Sequence, residues 1–285
     1  MNYIVLIGLF IFVTIIFLII SYFSKKRNLF MCYFYPNKTK KDIPQKVYDN
    51  LRKYAKGYNV QIYDDKEIIQ FFKDHYKDSD RYINKFNKLQ GAHKADLWRY
   101  CVLYHYGGVY LDIKTELIKP LNKIFTDDNM LYTVYDFRNN ITLFQSIISS
   151  PPKNPIFLDL IEYMLNIGDD YEYHSFTRDF YNKINDYCGD VKIGLNKNLK
   201  NDIDIYLFYE LCSPNTENID IEVLDTDISN FRKLTNKSKE IYKINKDKLV
   251  RNKCGNLDKY NTCCYVYDKE NPIIKSRFDD FGKKW

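Results

Sequence analysis

Between Gly91 and Leu121 the chain carries two carboxylates, a guanidinium and an ammonium at spacings that can bring them together: Asp96, Arg99, Asp112 and Lys114. Residues three and four apart share one side of a helix, so His93, Asp96 and Arg99 or Tyr100 line one face while Leu97, Cys101 and Tyr104 line another. Gly107-Gly108 then lets the backbone turn sharply into an apolar run, and Asp112 and Lys114, two apart, share one side of the strand that run predicts. Such groups suit a ligand that is anionic at one end and rich in hydroxyls at the other. A nucleotide-sugar needs its diphosphate charge neutralised, its ribose held by a carboxylate, and a cation on the departing phosphate as the anomeric carbon becomes oxocarbenium-like. Plainer readings exist for the same residues. Asp96 and Arg99 can form a simple intrahelical ion pair, His93 can be a helix-start residue, and His105 can be a partly buried core histidine.

Positioning these groups requires helices and strands in alternation. Leu29 to Tyr35 is a short apolar run stopped by Pro36 and predicts a buried strand. Ile43-Pro44 opens a helix through Tyr54, Val60 to Tyr63 alternates as a strand, and Glu67 to Tyr76 has the spacing of an amphipathic helix. A longer helix runs from Ala92 to Tyr106 and closes at Gly107, with Val109 to Ile113 as the next strand. Further strands are predicted at Met130 to Phe137, Thr142 to Ser149, Ile203 to Leu211 and Ile219 to Leu224. Asn154-Pro155 supplies a cap and first turn for a helix through Leu165, and Tyr265 to Phe278 predicts a terminal hairpin. The class is α/β, in which ligands bind beyond the carboxyl ends of the strands.

The 285 residues allow one core of roughly 250 residues plus an anchor. With 43 basic and 37 acidic residues the net charge of +6 is too mild for a nucleic-acid binder, although Arg232 to Lys253 is a locally basic stretch. Seven cysteines without a C-x-x-C spacing argue against a disulfide framework and a structural zinc site, so reduced thiols are expected. Tyr3 to Phe23 is almost unbroken in apolar character, and about 21 residues at about 1.5 Å each reach about 31 Å, the thickness of a hydrocarbon core. It predicts a transmembrane helix. Lys25, Lys26 and Arg27 follow it and place the rest of a single-pass chain in the cytosol, where the sequons at Asn37, Asn140 and Asn236 go unused. Residues 1–24 are therefore read as an anchor and 25–285 as one domain.

The order Ala92, Asp96, Arg99-Tyr100, Leu103-Tyr104, Tyr106-Gly107-Gly108, Tyr110, Leu111-Asp112 resembles the core of glycosyltransferase family 32, whose sugar-binding region contains a DxD motif. The resemblance covers roughly Ile43 to Phe125, and Ser149-Ser150-Pro151-Pro152 with Asn154-Pro155 resembles the segment that follows in the family. It implies a GT-A fold. It further implies transfer of a hexose, with retention, from a UDP- or GDP-linked sugar to a glycan, lipid-linked or protein acceptor at a membrane. The implied donor-binding set is His93, Asp96, Arg99, Tyr100, Asp112 and Lys114, with Asp112 and Lys114 as the catalytic pair. Mn2+ or Mg2+ held by Asp112 is also implied. One departure stands out: the second aspartate of the motif is Lys114, and an ammonium cannot coordinate a cation. Lys114 either replaces the metal at the diphosphate, or the chain is a catalytically inactive GT-A module that binds a nucleotide-sugar or a partner.

Overall fold

A computed structural model describes residues 12–14, 26–34, 38–136, 142–214, 262–269 and 271–278. The first strand, β1 (Arg27–Cys32), reads as a continuous apolar run because both of its faces are covered. Phe30 and Cys32 pack on one side with Phe72 and Trp98, and Leu29 and Met31 on the other with Val47 and Leu51. The layer holding Val47 and Leu51 is α1 (Gln45–Tyr54), entered through Pro44. The opposite layer holds α2 (Asp65–His75), α3 (Ser79–Lys88) and α4 (Gly91–Tyr106). Asp64 caps α2 by accepting from the backbone N–H groups of Lys66 and Glu67. Between β1 and α2 runs β2 (Tyr58–Tyr63), parallel to β1.

After α4 the chain turns into β3 (Gly108–Leu111), also parallel to β1, with Leu29 opposite Val109 and Phe30 opposite Tyr110. This turn requires its two glycines. Both have positive φ, and a Cβ on Gly107 would lie 2.5 Å from the Pro152 nitrogen while one on Gly108 would lie 2.6 Å from the Asn28 carbonyl oxygen. Beyond β3 come β4 (Glu116–Leu117), α5 (Leu121–Ile124), β5 (Leu131–Asp136), β6 (Thr142–Ser150), α6 (Pro155–Asn166) and α7 (Ser175–Cys188). The chain continues with β7 (Gly194–Asn196), β8 (Ile205–Pro214), β9 (Thr262–Asp268) and β10 (Asn271–Lys275).

The strands form a mixed sheet in the order β2-β1-β3-β6-β5-β8-β9-β10-β4, with β7 on β8. β4 therefore lies six places from β3 in the sheet, although only residues 112–115 separate them in the chain. Six spacings of about 4.8 Å make about 29 Å in a flat sheet. The connection reaches at most about 18 Å, so the sheet curls until its last strand returns beside β3.

Several expectations change. The strand carrying the motif ends at Leu111, so Asp112 and Lys114 lie in a turn rather than on a strand, closed by the Thr115 N–H donating to the Asp112 carbonyl at 2.9 Å. Two helices, α3 and α7, were not expected. Cys32, Cys101 and Cys188 are free thiols, but Cys264 is disulfide-bonded, which corrects the expectation of reduced thiols throughout. The Tyr3 to Phe23 run lies outside the described residues except for 12–14, which are helical, as do the Ile219 to Leu224 strand and the basic stretch Arg232 to Lys253. Among the described residues no helix is long and apolar enough to cross a membrane.

Candidate functional site

The Asp112 to Thr115 turn is held from two sides. The Asp112 N–H donates to the Ser146 carbonyl of β6 at 2.7 Å, and the Phe278 N–H donates to the Lys114 carbonyl at 2.9 Å. β3 and α4 run antiparallel on neighbouring layers, so α4 lays Arg99 against the end of β3. Arg99 Nη2 donates to Asp112 Oδ1 at 3.2 Å and to the Tyr110 hydroxyl at 3.3 Å, while its guanidinium lies over the Tyr110 ring at 4.5 Å. Tyr110 in turn donates to Asp112 Oδ1 at 2.8 Å. On the other side of the guanidinium, Nη1 meets Asp96 Oδ1 at 3.0 Å and donates to the Gln145 carbonyl at 2.9 Å. Lys114 Nζ lies 3.2 Å from Asp112 Oδ2.

Exposure grows outward along this chain of charges: the side chains of Arg99 and Asp96 are 5% and 9% exposed, that of Asp112 17%, and that of Lys114 29%. A ligand arriving from solvent therefore meets Lys114 and Asp112 first. Burial pushes the Asp112 carboxyl up, but Lys114 and Arg99 outweigh it and hold it below the usual carboxylate range, so it stays ionised. Burial dominates at Asp96, whose carboxyl is raised despite Arg99 and His93. Asp96 and Arg99 thus form the intrahelical pair of the plainer reading and also support Asp112.

The remaining candidates divide. The Tyr100 hydroxyl donates to Gln145 Oε1 at 2.7 Å, which makes Tyr100 a buried prop for the residue that holds Arg99. His93 has both ring nitrogens engaged: Nε2 donates to the Tyr173 carbonyl at 3.1 Å, and Nδ1 meets the Tyr171 hydroxyl at 3.1 Å. It helps line a cavity of about 190 Å³ with Gln90, Tyr171 and Tyr173 at the start of α4. Sequence reasoning missed Gln145, Ser146 and the Tyr110 hydroxyl. Gln145 and Ser146 interrupt an apolar strand, and that interruption was the available signal. Gln145 Nε2, Ser146 Oγ and Arg99 Nε are buried with no hydrogen-bond partner, so the neighbourhood of Asp112 keeps polar capacity that its own contacts leave unused.

A divalent metal does not fit this donor set. Asp112 Oδ1 already accepts from Arg99 and Tyr110, Oδ2 faces the Lys114 ammonium, and among the described residues no group of three or more His, Cys, Asp or Glu could hold an ion. Arg99 and Lys114 each set a positive charge against one of the two Asp112 oxygens.

Residues 42–131 match the family model described as glycosyltransferase sugar-binding region containing DXD motif. Over 115 residues the chain is 30% identical to an uncharacterized glycosyltransferase of Acanthamoeba polyphaga mimivirus, covering 40% of this chain and 45% of that protein. The chain thus spans less than half the length of this curated relative. Among solved structures it is similar to the PaToxG glycosyltransferase, at 16% identity and TM-score 0.41 over 56% of this chain and 69% of the other. It is also similar to a mutant transferase, at 12% identity and TM-score 0.35 over 56% of this chain and 84% of the other.

Proposed function

We propose, from the glycosyltransferase sugar-binding region that residues 42–131 carry, that this chain is a GT-A-type hexosyltransferase that takes its sugar from a nucleotide-sugar and holds the diphosphate with Lys114 in place of a metal. The observation that carries this reading is the Lys114 to Asp112 pair at 3.2 Å, the most exposed part of a network otherwise buried. Lys114 supplies the positive charge that the leaving diphosphate needs, as a point charge does in other phosphate sites. Asp112, kept ionised by Lys114 and Arg99, accepts from a ribose or sugar hydroxyl. The bond from the anomeric carbon to the phosphate oxygen breaks as the acceptor oxygen attacks from the same face, and the acceptor's proton passes to the departing phosphate. This course retains configuration and requires no protein base.

The Lys114 and Asp112 charges also satisfy each other, and this favours a second reading in which the chain binds a nucleotide-sugar or a partner without transfer. Incubating the chain with a panel of nucleotide-sugars, and following nucleotide release with chelator and with Mn2+, separates the two. Release that survives chelator supports the proposal. Binding without release for every donor and acceptor tried leaves the inactive module.

The acceptor is a glycan, a lipid-linked sugar or a protein at a membrane, because the apolar run from Tyr3 to Phe23 has the length and composition of an anchor. Lys25 and Lys26 orient the following domain toward the cytosol, whereas the disulfide at Cys264 suits an oxidising compartment. We place the domain in the cytosol on the charge rule. Glycan addition at Asn37 or Asn140 in cells would place it in the secretory lumen instead.

A further inference from the structure

We infer that the amino-terminal end of the parallel strands β1, β2 and β3 is the face that rests on the membrane, so that the Asp112 to Thr115 turn opens away from it. The inference depends on the anchor proposed above. Only Ser24, Lys25 and Lys26 separate the apolar run from Arg27, and the chain from Phe23 to Arg27 reaches at most about 14 Å. Arg27 has no slack of its own. It is the first residue of β1, with Nη1 donating to the Phe125 carbonyl at 3.0 Å, Nη2 donating to Ser149 Oγ at 3.3 Å, and Nη2 paired with Asp128 at 2.7 Å.

Because β1, β2 and β3 are parallel, the chain segments entering them gather at that same end. Arg52, Lys53 and Lys56 stand exposed there, just ahead of β2, and Lys153 follows Pro152, which packs on Gly107 ahead of β3. Of the nearby acids Asp128 pairs with Arg27 and Asp49 with Arg52, leaving Asp127 against Lys53, Lys56 and Lys153 and the two lysines of the linker. This charge complements an anionic headgroup layer. At the other end, the register of β1 with β3 sets Asp112 level with Cys32, five residue steps or about 17 Å from Arg27. A sugar or phosphate within the headgroup layer of the same bilayer is therefore out of reach, and the acceptor hydroxyl has to stand clear of the surface by about that depth.

Lys56 and Lys66 are exposed and bracket β2 at its two ends, so they report the orientation without touching the site. The full chain is placed in nanodiscs of phosphatidylcholine and phosphatidylserine doped with a lipid bearing a headgroup nitroxide, with a fluorescent amino acid replacing Lys56 in one variant and Lys66 in another. The expected result is several-fold stronger quenching at position 56 than at position 66. Equal quenching, or stronger quenching at 66, overturns the orientation, and a chain that does not float with the lipid overturns it together with the anchor. Neither readout uses a nucleotide-sugar. Absence of sugar transfer therefore leaves the orientation standing, and a wrong orientation leaves measured transfer standing.

Discussion

An ammonium where the family motif has a carboxylate reverses the sign of the group that would meet the diphosphate, and the network behind it is built to match. Arg99 and Tyr110 load one oxygen of Asp112 and Lys114 faces the other, so the carboxylate is oriented by fixed donors rather than by an ion. Lys114→Ala is expected to weaken donor binding by the roughly 1.5–3 kcal/mol of a charge-assisted hydrogen bond, measured by calorimetry, and added Mn2+ should not restore it. Lys114→Asp should make binding depend on Mn2+, because a second carboxylate beside Asp112 recreates an oxygen ligand set. The idea fails if wild-type binding vanishes in chelator and returns with Mn2+. Arg99 answers a different question. Its removal leaves the buried Asp96 carboxylate unpaired, so Arg99→Ala should cost about 3–5 kcal/mol of folding stability by urea titration, whereas Lys114→Ala should cost little. Equal stability losses for the two variants would mean that burial does not divide the network as described.

The helix and strand that flank the site meet at Gly107-Gly108, where packing leaves no room for a side chain. Gly108→Ala combines a φ of +96° with a collision against the Asn28 backbone, and a loss of about 1–3 kcal/mol is expected in thermal or denaturant unfolding. Gly57→Ala is the natural control, with a φ of +86° and nothing within 4 Å of the added carbon, so its loss should be smaller. If the two lose the same amount, the close approach of β3 to β1 is not what the glycine serves. The same contrast explains which elements were legible. α4 and β3 were readable from caps and periodicity, but β3 stops two residues early because the Asp112 carbonyl is taken by the Thr115 N–H in the turn. α7 carries Phe176, Phe180, Ile184 and Tyr187 at helical spacing that could have been read, whereas α3 buries only Tyr82, Lys85 and Phe86 and begins at Asp78 without a side-chain cap bond.

In the whole molecule the curl of the sheet ties the site to residues more than 150 positions away. β10 pairs with β4 directly after the turn, the Phe278 N–H holds the Lys114 carbonyl, and Ser276 contributes its carbonyl to Thr115 Oγ1 at 3.5 Å. A chain ending at residue 261 should still form the β1, β2 and β3 core but lose these restraints. Amide exchange in residues 112–117 is expected to accelerate and donor affinity to fall, while exchange in β1 changes little. Unchanged exchange in the turn would show that the terminal hairpin does not position Lys114.

Local chemistry made the α4 and β3 pair, its glycine turn and the charged set from Asp96 to Lys114 readable from the chain alone. Caps, periodicity and turn residues act between near neighbours, and near neighbours are all that a single sequence displays. Gln145, Ser146 and the hairpin that carries Ser276 and Phe278 act through contacts across 30 to 160 positions, which depend on strand order and on the curl of the sheet. The spacing of Asp96, Asp112 and Lys114 shows which charges are present. Only packing sets their depth: Asp96 and Arg99 lie inside as support, and Lys114 stands outermost, because α4 is buried from Ala95 to Leu103 while the Asp112 turn lies at the open end of the strands.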